Sequence, residues 1–404
     1  MDNVMAQAFI CDYVRTPVGC FGGALSCVRV DELASVPLAA LTARNKTVDW
    51  AAVDDVITGC ASQTGESSRN IARLALLLAG LPVEVSGTTV NRLSGSGMEA
   101  VMAAARAIKA GEAELIIAGG VDSMSRAALL LPEADIIFPR SEKHDISLAS
   151  RFLNPKIRQM YGDFISSVTA DKVALHYHIP RADQDGFAVR SQIKAAVAQT
   201  TGRLLKETVS VTVRQKGGGA HVIVKDEMPH PVSQDFLSGL KPVNSCEGAT
   251  VTEGNSAALS DGACALLIAS EHAVEKYALT PLARITGAVA AGASLRAGGA
   301  GGAGAAKKLL KRLGWNPTEL DLLEINEEFA SQALAILRVM GIADDDLRVN
   351  PNGGAIAMGH SPGMSGARLV GTAALELSLM AGKLALAATE TDDGQGIAVG
   401  LERV

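Results

Sequence analysis

The chain has 404 residues, of which 48% are apolar and only 3% are aromatic. This length predicts two or three domains or one large duplicated unit, and the 41 glycines with few aromatics favour packed α/β layers over an aromatic-rich β-sandwich. The net charge of −6 argues against a nucleic-acid-binding surface, which needs a basic excess. An anionic ligand would have to be held by local groups.

The N-terminal residues carry Asp2 and Asp12 and contain no long apolar run, which argues against a signal peptide. No apolar stretch approaches the ~20 residues of a membrane helix. The six cysteines form no C-x-x-C pair, and no histidine pair has zinc spacing, so we expect free thiols and no metal site. These features predict a cytoplasmic protein that binds neither nucleic acid nor membrane.

Short apolar runs alternate with helical patterns through residues 1–120, as in an α/β sheet protein. The predicted strands are Ala8–Cys11, Asp54–Gly59, Val83–Val90 and Leu115–Ala118, and the predicted helices are Asp31–Leu41 and Asn70–Leu78. Residues 121–249 have long polar stretches and prolines, which predicts an inserted loop domain with one clear helix at Arg181–Thr200.

Residues 250–273 return to the earlier style and are expected to complete the first half, and residues 274–404 form a second α/β half. The predictions there are strands at Pro281–Val289, Leu384–Ala388 and Gly396–Leu401, a Gly/Ala loop at Ala297–Ala306, and helices at Lys307–Leu313 and Ser365–Met380. Each half contains Val-Asn, then small residues, a helix, Ala-Gly and a strand. This order indicates a duplicated fold with a site between the halves.

Four segments could carry chemistry. Ser94 lies in a tight turn at a helix start, where free N–H groups favour an oxyanion, although it could equally be a helix cap. His360 lies in a glycine-rich loop, which suggests close backbone approach to a ligand, although an isolated histidine could equally be structural. Asn326 and two glutamates end an apolar run and could cap a helix, and Glu390 opens an acidic turn that could simply be solvated.

Together these segments resemble the thiolase superfamily along nearly the whole chain, and the RFLNP stretch is most similar to the degradative, β-ketoadipyl-CoA type. The matching stretches are RTPVGCFGGAL (15–25), QTGESSRNIAR (63–73), AGLPVEVSGTTVNRL (79–93), AGGVDSMSRA (118–127), RFLNPKIRQMYG (151–162), GATVTEGNSAALSDGA (248–263), NEEFASQ (326–332) and NPNGGAIAMGH (350–360).

The resemblance implies an α/β thiolase fold, in which two similar halves form five αβαβα layers and an inserted loop domain covers coenzyme A. It also implies a homodimer or homotetramer, a coenzyme A thioester as substrate and no tightly bound cofactor. The family reaction is a reversible Claisen condensation. One cysteine, activated by a histidine, takes the acyl group, a second cysteine removes an α-proton, and an Asn-held water and backbone N–H groups stabilise oxyanions.

The chain departs from the family pattern at the catalytic positions. Ser94 stands where the motif NRLCGSG has the nucleophilic cysteine, and Glu390 takes the place of the second cysteine in CIGGGQG. Asp392 replaces a glycine whose N–H would help to form an oxyanion hole, whereas His360 and Asn326 are retained. So many changes around one pocket indicate natural divergence rather than one engineered exchange.

The resemblance also suggests residues that contact coenzyme A or substrate, some of them at positions that depart from the pattern: Ser166, His230, Asn255, Ser256 and Ala257. His230 stands where the family commonly has an arginine.

The leading hypothesis is an acyltransferase in which Ser94 carries an acyl ester, His360 is the base, and the Ser94 N–H holds the oxyanion. Asp392 stands at the other position that contributes to the oxyanion hole in the family. Glu390 would deprotonate the incoming nucleophile. The donor is an acyl-CoA or an acyl carrier, and the product could be a Claisen-type ketone, an ester, an amide or, with water, a free acid. The alternative class is a non-catalytic acyl-CoA-binding homologue or structural subunit, since both cysteines are absent.

Overall fold

The structure is a computed structural model that describes residues 6–130, 144–145, 153–162, 165–214, 217–228, 232–294 and 301–404. The strands are β1 (Ala8–Arg15), β2 (Gly19–Cys20), β3 (Asp55–Gly59), β4 (Ser86–Val90), β5 (Leu115–Ser123), β6 (Leu129–Leu130), β7 (His144–Asp145), β8 (Val211–Arg214), β9 (Ala220–Ile223), β10 (Ser260–Ser270), β11 (Ala283–Gly292), β12 (Leu322–Ile325), β13 (Leu384–Glu390) and β14 (Gln395–Glu402).

Helices separate most of these strands. They are α1 (Val30–Arg44), α2 (Ile71–Leu78), α3 (Ser96–Ala110), α4 (Pro155–Tyr161), α5 (Ser166–His176), α6 (Arg181–Thr200), α7 (Gln234–Ser238), α8 (Glu271–Lys276), α9 (Gly301–Leu313), α10 (Ala330–Met340), α11 (Ala355–Met358) and α12 (Pro362–Met380). Among the described residues, no helix is long and apolar enough to cross a membrane.

The strand order shows the duplication. The strands run β12-β13-β14-β11-β1-β10-β5-β3-β4, and the antiparallel pair β1–β11 joins the halves. Outward from that junction, the two halves have the same order of strand pairs. β10 and β14 are antiparallel to β1 and β11, and β5 and β13 are antiparallel to β10 and β14. β3 and β12 are then parallel to β5 and β13. Strand β4 pairs with the outer edge of β3, whereas in the described part of the chain the outer edge of β12 carries a single parallel bridge, from Leu323 to Val349. The predicted similarity of the halves therefore extends to strand direction and order.

Alternating side chains of the strands feed different cores, which creates the layers. In β10, Leu266 and Ile268 belong to the core around α3 and α12, whereas Leu267 between them belongs to the core beneath α1 and α2. A third core lies under α9 and α10. The layers are therefore α1/α2, sheet, α3/α12, sheet and α9/α10, which confirms the predicted five-layer thiolase fold.

The central helices begin close together. A Cβ placed on Gly97, in the first turn of α3, would lie 2.6 Å from the carbonyl oxygen of Gly363, in the first turn of α12. Such a short distance means that only glycine lets these two helix ends meet. Ser94 lies two residues before α3 and His360 two residues before α12, so this contact brings the two loops together.

Most element predictions match the structure. Helix α6 has the predicted bounds, and α1 and α12 extend the predicted helices by a few residues. The prediction of a Gly/Ala loop at Ala297–Ala306 is wrong for residues 301–306, the part that the structure describes, because α9 already begins at Gly301. A Cβ on Gly301 would lie 2.2 Å from the backbone carbon of Gln395, so close packing against β14 requires this poor helix former. The four predicted domain boundaries stay a prediction.

Candidate active site

The ends of two parallel strands place the first pair of candidate residues. Strands β12 and β13 pair in parallel with Ile325 opposite Ala388, so the residues that follow or end them lie at one edge of the sheet. Asn326 follows β12, and its backbone N–H donates to the Ala388 carbonyl at 2.9 Å. Glu390 is the last residue of β13, and its side chain is 4% exposed.

Ser94 reaches this edge from the other half of the molecule. It lies in the turn between β4 and α3, after Leu93, whose φ of +49° is sparsely populated by residues other than glycine. The buried Ser94 hydroxyl donates to the backbone carbonyl of Glu390 at 2.8 Å. The N-cap residue of α3 is Gly95, so the alternative interpretation of Ser94 as a helix cap does not apply.

His360 is held as one tautomer by a hydrogen-bond chain. Its Nδ1 lies 2.8 Å from the Ser365 hydroxyl, which donates its own proton to the Ser361 carbonyl at 3.0 Å. While the Ser365 hydroxyl donates to the Ser361 carbonyl, it can only accept from Nδ1–H, and the neutral ring then has an unprotonated Nε2. Burial, assisted by the positive charge of Arg368, lowers the pKa of His360 to about 3, so the ring is neutral at pH 7.

Glu328 is a site residue that the sequence analysis missed. One of its carboxyl oxygens lies 3.5 Å from His360 Nε2, and its side chain is 14% exposed. Burial and the charges of Asp392 and Glu390 raise the pKa of Glu328 well above its ordinary value, while hydrogen bonding with the Ser94 side chain opposes this rise. Glu328 therefore contacts both Ser94 and His360, the two groups expected to act together.

The sequence held one signal for Glu328. Two consecutive glutamates follow a buried strand, and consecutive side chains there point to opposite sides. Glu327 is fully bonded inside the protein: its carboxylate accepts from Ser191 Oγ at 2.6 Å, Asn350 Nδ2 at 2.6 Å and Ile356 N–H at 3.2 Å. The capping interpretation is wrong for both glutamates, because α10 begins at Ala330 with Phe329 as its N-cap.

Two further carboxyl groups complete an acidic cluster, which comprises Glu328, Glu390 and Asp392. Burial raises the pKa of Glu390 to about 8, with Asp392 adding to the rise and a backbone hydrogen bond from Gly302 opposing it. Burial likewise raises the pKa of Asp392 to about 6, against a hydrogen bond from Ser166. The interpretation of a fully solvated acidic turn does not hold for Glu390, which is buried, whereas Glu328 and Asp392 are partly exposed beside it.

Several buried polar atoms in this region have no hydrogen-bond partner in the described part of the chain. They are Nε2 of His360, Oε2 of Glu390, Oδ1 of Asp392, and both Oδ1 and Nδ2 of Asn326. The large majority of buried side-chain polar atoms in proteins are paired, so several unpaired atoms together indicate a place where a ligand or water binds.

The remaining predicted residues lie around the cluster in different ways. Ser166, the first residue of α5, bonds to Asp392. Ala257 N–H donates to the Glu328 carbonyl at 2.8 Å, and Ser256 Oγ donates to the Thr252 carbonyl at 2.7 Å. Asn255 is fully buried. His230 lies outside the described residues.

The side chain of Asn255 is committed to the loop itself. Its Oδ1 accepts from Thr252 N–H at 2.8 Å, and its Nδ2 donates to Asp185 and to the Thr250 carbonyl, each at 3.0 Å. Asn255 therefore shapes the loop that carries Ala257 beside Glu328, and its amide has no group left for a substrate.

The three buried cysteines, Cys11, Cys60 and Cys264, offer no substitute nucleophile with a reactive thiolate. All six are free thiols. Burial raises the pKa of both Cys11 and Cys264 to about 12 and raises that of Cys60 further, so these thiols stay protonated and unreactive.

The sequence profile of the thiolase N-terminal domain matches residues 8–272, and that of the thiolase C-terminal domain matches residues 279–403. The β-ketoadipyl-CoA thiolase of Pseudomonas aeruginosa is 52% identical over 400 residues, which cover 98% of this chain and 99% of the relative. The 3-oxoadipyl-CoA/3-oxo-5,6-dehydrosuberyl-CoA thiolase of Escherichia coli (strain K12) is 49% identical over 402 residues, covering 99% of this chain and all of the relative.

A solved structure gives the same result for the fold. The crystal structure of the Bacillus anthracis acetyl-CoA acetyltransferase superposes with a TM-score of 0.91 and 34% identity, and the match covers 100% of both chains. The chain belongs to the thiolase family. The prediction of an enzyme of the acyltransferase class is confirmed at this level, since relatives at about half identity over the full chain are thiolases.

Proposed function

We propose that this protein is a divergent thiolase that transfers acyl groups from coenzyme A thioesters through Ser94, without either family cysteine. One observation carries the proposal: the Ser94 hydroxyl is buried between the halves, beside a carboxyl, Glu328, that lies 3.5 Å from the bare Nε2 of a neutral His360. A serine hydroxyl needs a general base to become a nucleophile, and this arrangement supplies one.

The first half-reaction forms the acyl-enzyme. Ser94 Oγ attacks the thioester carbonyl while its proton passes to the ionised Glu328 carboxylate, whose raised pKa makes it a stronger base than His360, and the carbon–sulfur bond then breaks. The departing coenzyme A sulfur takes that proton back. We expect the backbone N–H of Ser94, just before the N-terminus of α3, to stabilise the negative oxygen of the tetrahedral intermediate. The N–H groups of Gly95 and Ser96 already donate to the carbonyls of Arg92 and Leu93 at 3.0 Å.

The second half-reaction uses the other carboxyls. Glu390, whose pKa of about 8 is near neutrality, suits proton abstraction from the incoming acceptor. Asn326, with its unpaired amide, suits a substrate oxygen or a water. A carbon acid as acceptor would complete a Claisen condensation, as the family resemblance implies. We expect the loop at Ser256–Ala257, together with Ser166 and His230, to lie against the coenzyme A arm.

The relatives suggest which donors to test first. The names of the relatives include β-ketoadipyl-CoA for Pseudomonas aeruginosa, 3-oxoadipyl-CoA and 3-oxo-5,6-dehydrosuberyl-CoA for Escherichia coli, and acetyl-CoA for Bacillus anthracis. Cytoplasmic location and a homodimer or homotetramer stay predictions.

The test is the release of free coenzyme A thiol from a panel of acyl-CoA and 3-oxoacyl-CoA donors. We expect release by the wild type, loss of at least 100-fold in Ser94→Ala, and retention in Ser94→Cys, which restores the family nucleophile. Ser35→Ala, on the surface of α1, is the matched control. Equal release by wild type and Ser94→Ala would refute the serine nucleophile, and stoichiometric acyl-CoA binding without release would indicate the non-catalytic alternative.

A further inference from the structure

We propose that a clasp between the two halves holds the turn that carries Ser94 in place while the serine reacts. The clasp consists of the side chains of Arg92, Gln395 and Asp393, which act as positioning residues. The inference rests on the proposed acyl transfer through Ser94 and goes beyond it, because none of the three side chains takes part in the bond changes of that reaction.

The turn that carries Ser94 is a closed unit built on Arg92. The Arg92 N–H donates to the Ser96 hydroxyl at 2.8 Å, and the Arg92 carbonyl accepts from the Gly95 N–H at 3.0 Å. The Ser96 hydroxyl donates in turn to the Leu93 carbonyl at 2.6 Å. The positive φ of Leu93 persists only where the surrounding contacts enforce it. A displacement of Arg92 therefore also displaces Ser94.

The facing turn, between β13 and β14, is closed in a similar way. The Thr391 N–H donates to the Gln395 carbonyl at 2.9 Å, and the Gln395 N–H donates to the Thr391 hydroxyl at 3.2 Å. One Asp393 oxygen accepts from the Thr391 hydroxyl, and the other accepts from Gln395 Nε2 at 2.7 Å. The motif CIGGGQG has a glycine at the position of Asp393, so this carboxylate departs from the family pattern.

The side-chain amide of Gln395 joins the two turns, and its neighbours fix its orientation. Its Oε1 accepts from Arg92 Nη1 at 2.8 Å, while its Nε2 donates to Asp393. A guanidinium can only donate and a carboxylate can only accept, so the reversed amide would lose both bonds. Glu99 holds Arg92 from its own half, with a carboxyl oxygen 2.9 Å from Nε. Charge-assisted bonds of this kind are stronger than neutral ones.

The clasp is needed because another contact between the turns cannot survive the reaction. At rest, the Ser94 hydroxyl donates to the Glu390 carbonyl at 2.8 Å. Ser94 gives up that proton when it attacks, and the ester that it forms has no proton to donate. The clasp contains no reacting group and therefore still joins the turns at that stage. A misplacement of about 1 Å can slow a reaction about 100-fold, so loss of the clasp should slow acylation.

The experiment exchanges amide and carboxylate within the clasp. In Gln395→Glu, two carboxylates face each other, and the bond to Asp393 is lost. In Asp393→Asn, the new amide can accept from Gln395 and donate to Thr391, so little should change. In the double variant Gln395→Glu/Asp393→Asn, position 395 still accepts from Arg92 and position 393 now donates to position 395. The double variant thus restores the clasp with donor and acceptor exchanged.

The readout is the release of coenzyme A thiol by the full-length protein as a function of acyl-CoA concentration. We expect Gln395→Glu to lower kcat at least 10-fold with KM within 2-fold of wild type, and both the double variant and Asp393→Asn to keep kcat within 3-fold. Asp345→Asn, an exposed carboxylate beyond the end of α10, is the matched control and should change nothing. A wild-type kcat in Gln395→Glu, a double variant no faster than Gln395→Glu, or a loss confined to KM would overturn the inference.

A measured Tm shows whether each variant folds. Should Gln395→Glu fail to fold, Asp393→Ala takes its place, since alanine removes both bonds that asparagine can keep. Asp393→Ala must then have a kcat at least 3-fold below that of Asp393→Asn, and equal values would overturn the inference.

A second readout does not depend on acyl transfer. If the wild type releases no coenzyme A, the proposed function fails, and the clasp is tested by iodoacetamide alkylation at position 94 of Ser94→Cys, followed by peptide mass spectrometry. We expect added Gln395→Glu to slow this alkylation at least 5-fold, because the thiol loses its place beside Glu328 and His360. Further addition of Asp393→Asn should restore the rate to within 2-fold. Equal or faster alkylation with Gln395→Glu, or no restoration, would overturn the inference.

Discussion

Replacing Glu390 by glutamine should make the protein more stable, and increasingly so as the pH rises. The glutamate is buried at the end of β13, and one of its oxygens accepts from the Gly302 backbone while the other has no partner among the described residues. Glutamine has the size of the protonated glutamic acid side chain and keeps a carbonyl oxygen that can accept a hydrogen bond. It therefore imitates the neutral form without being able to ionise.

The magnitude follows from the pKa of Glu390. Its folded value of about 8 lies above the ordinary 4.5, so between these pH values the folded protein holds a proton that the unfolded chain has released. Stability must fall as the pH rises through this window, by about 1.4 kcal/mol per pH unit, and the loss is complete above pH 8. Across the whole window, the free energy of unfolding falls by about 5 kcal/mol, and water entering the site would reduce this loss to about 3 kcal/mol.

The assay is urea unfolding of wild type and Glu390→Gln at pH 5, 6.5 and 8.5. We expect the difference in the free energy of unfolding to grow in favour of the variant by about 2 to 4 kcal/mol from the lowest to the highest pH. Glu271→Gln, an exposed position at the start of α8, is the control and should show no such growth. A difference independent of pH would mean that Glu390 is ionised in the folded protein, which would refute the reasoning.

Three other substitutions test neighbouring parts of the account. Ser365→Ala removes the Nδ1 partner of His360 and should slow coenzyme A release about 10-fold with little change in Tm; an unchanged rate would mean that the tautomer is fixed otherwise. Glu328→Gln should slow acylation about 100-fold in stopped-flow assays without lowering Tm, and a wild-type rate would exclude it from proton transfer. Gly354→Ala places a Cβ 2.1 Å from Glu327 Cδ and should destabilise by about 2 kcal/mol or more in urea; equal stability would contradict the packing.

Local sequence signals predicted most of the fold. Asn70, expected to start a helix, accepts from Arg73 N–H as the N-cap of α2, and the Val-Asn repeats correctly indicated two similar halves. The start of α9 was not predictable in this way. Glycine favours loops in the sequence, and only the close packing of Gly301 against β14 explains a helix there.

The candidate site was predictable in its residues but not in its contacts. Ser94 bonds to the backbone of a residue 296 positions away, and no periodicity in the sequence encodes such a contact. Glu328 was missed because an acidic residue after a strand usually caps the next helix, and only the fold shows it beside His360. The pKa of each carboxyl depends on burial and on its neighbours, which are likewise properties of the assembled halves.

Intact-protein mass spectrometry after brief exposure to an acyl-CoA tests the central claim most directly. The account predicts a mass increase equal to one acyl group on the wild type and on Ser94→Cys, mapped by peptide analysis to position 94, and none on Ser94→Ala. An acyl group on another residue, or an adduct that survives in Ser94→Ala, would contradict it.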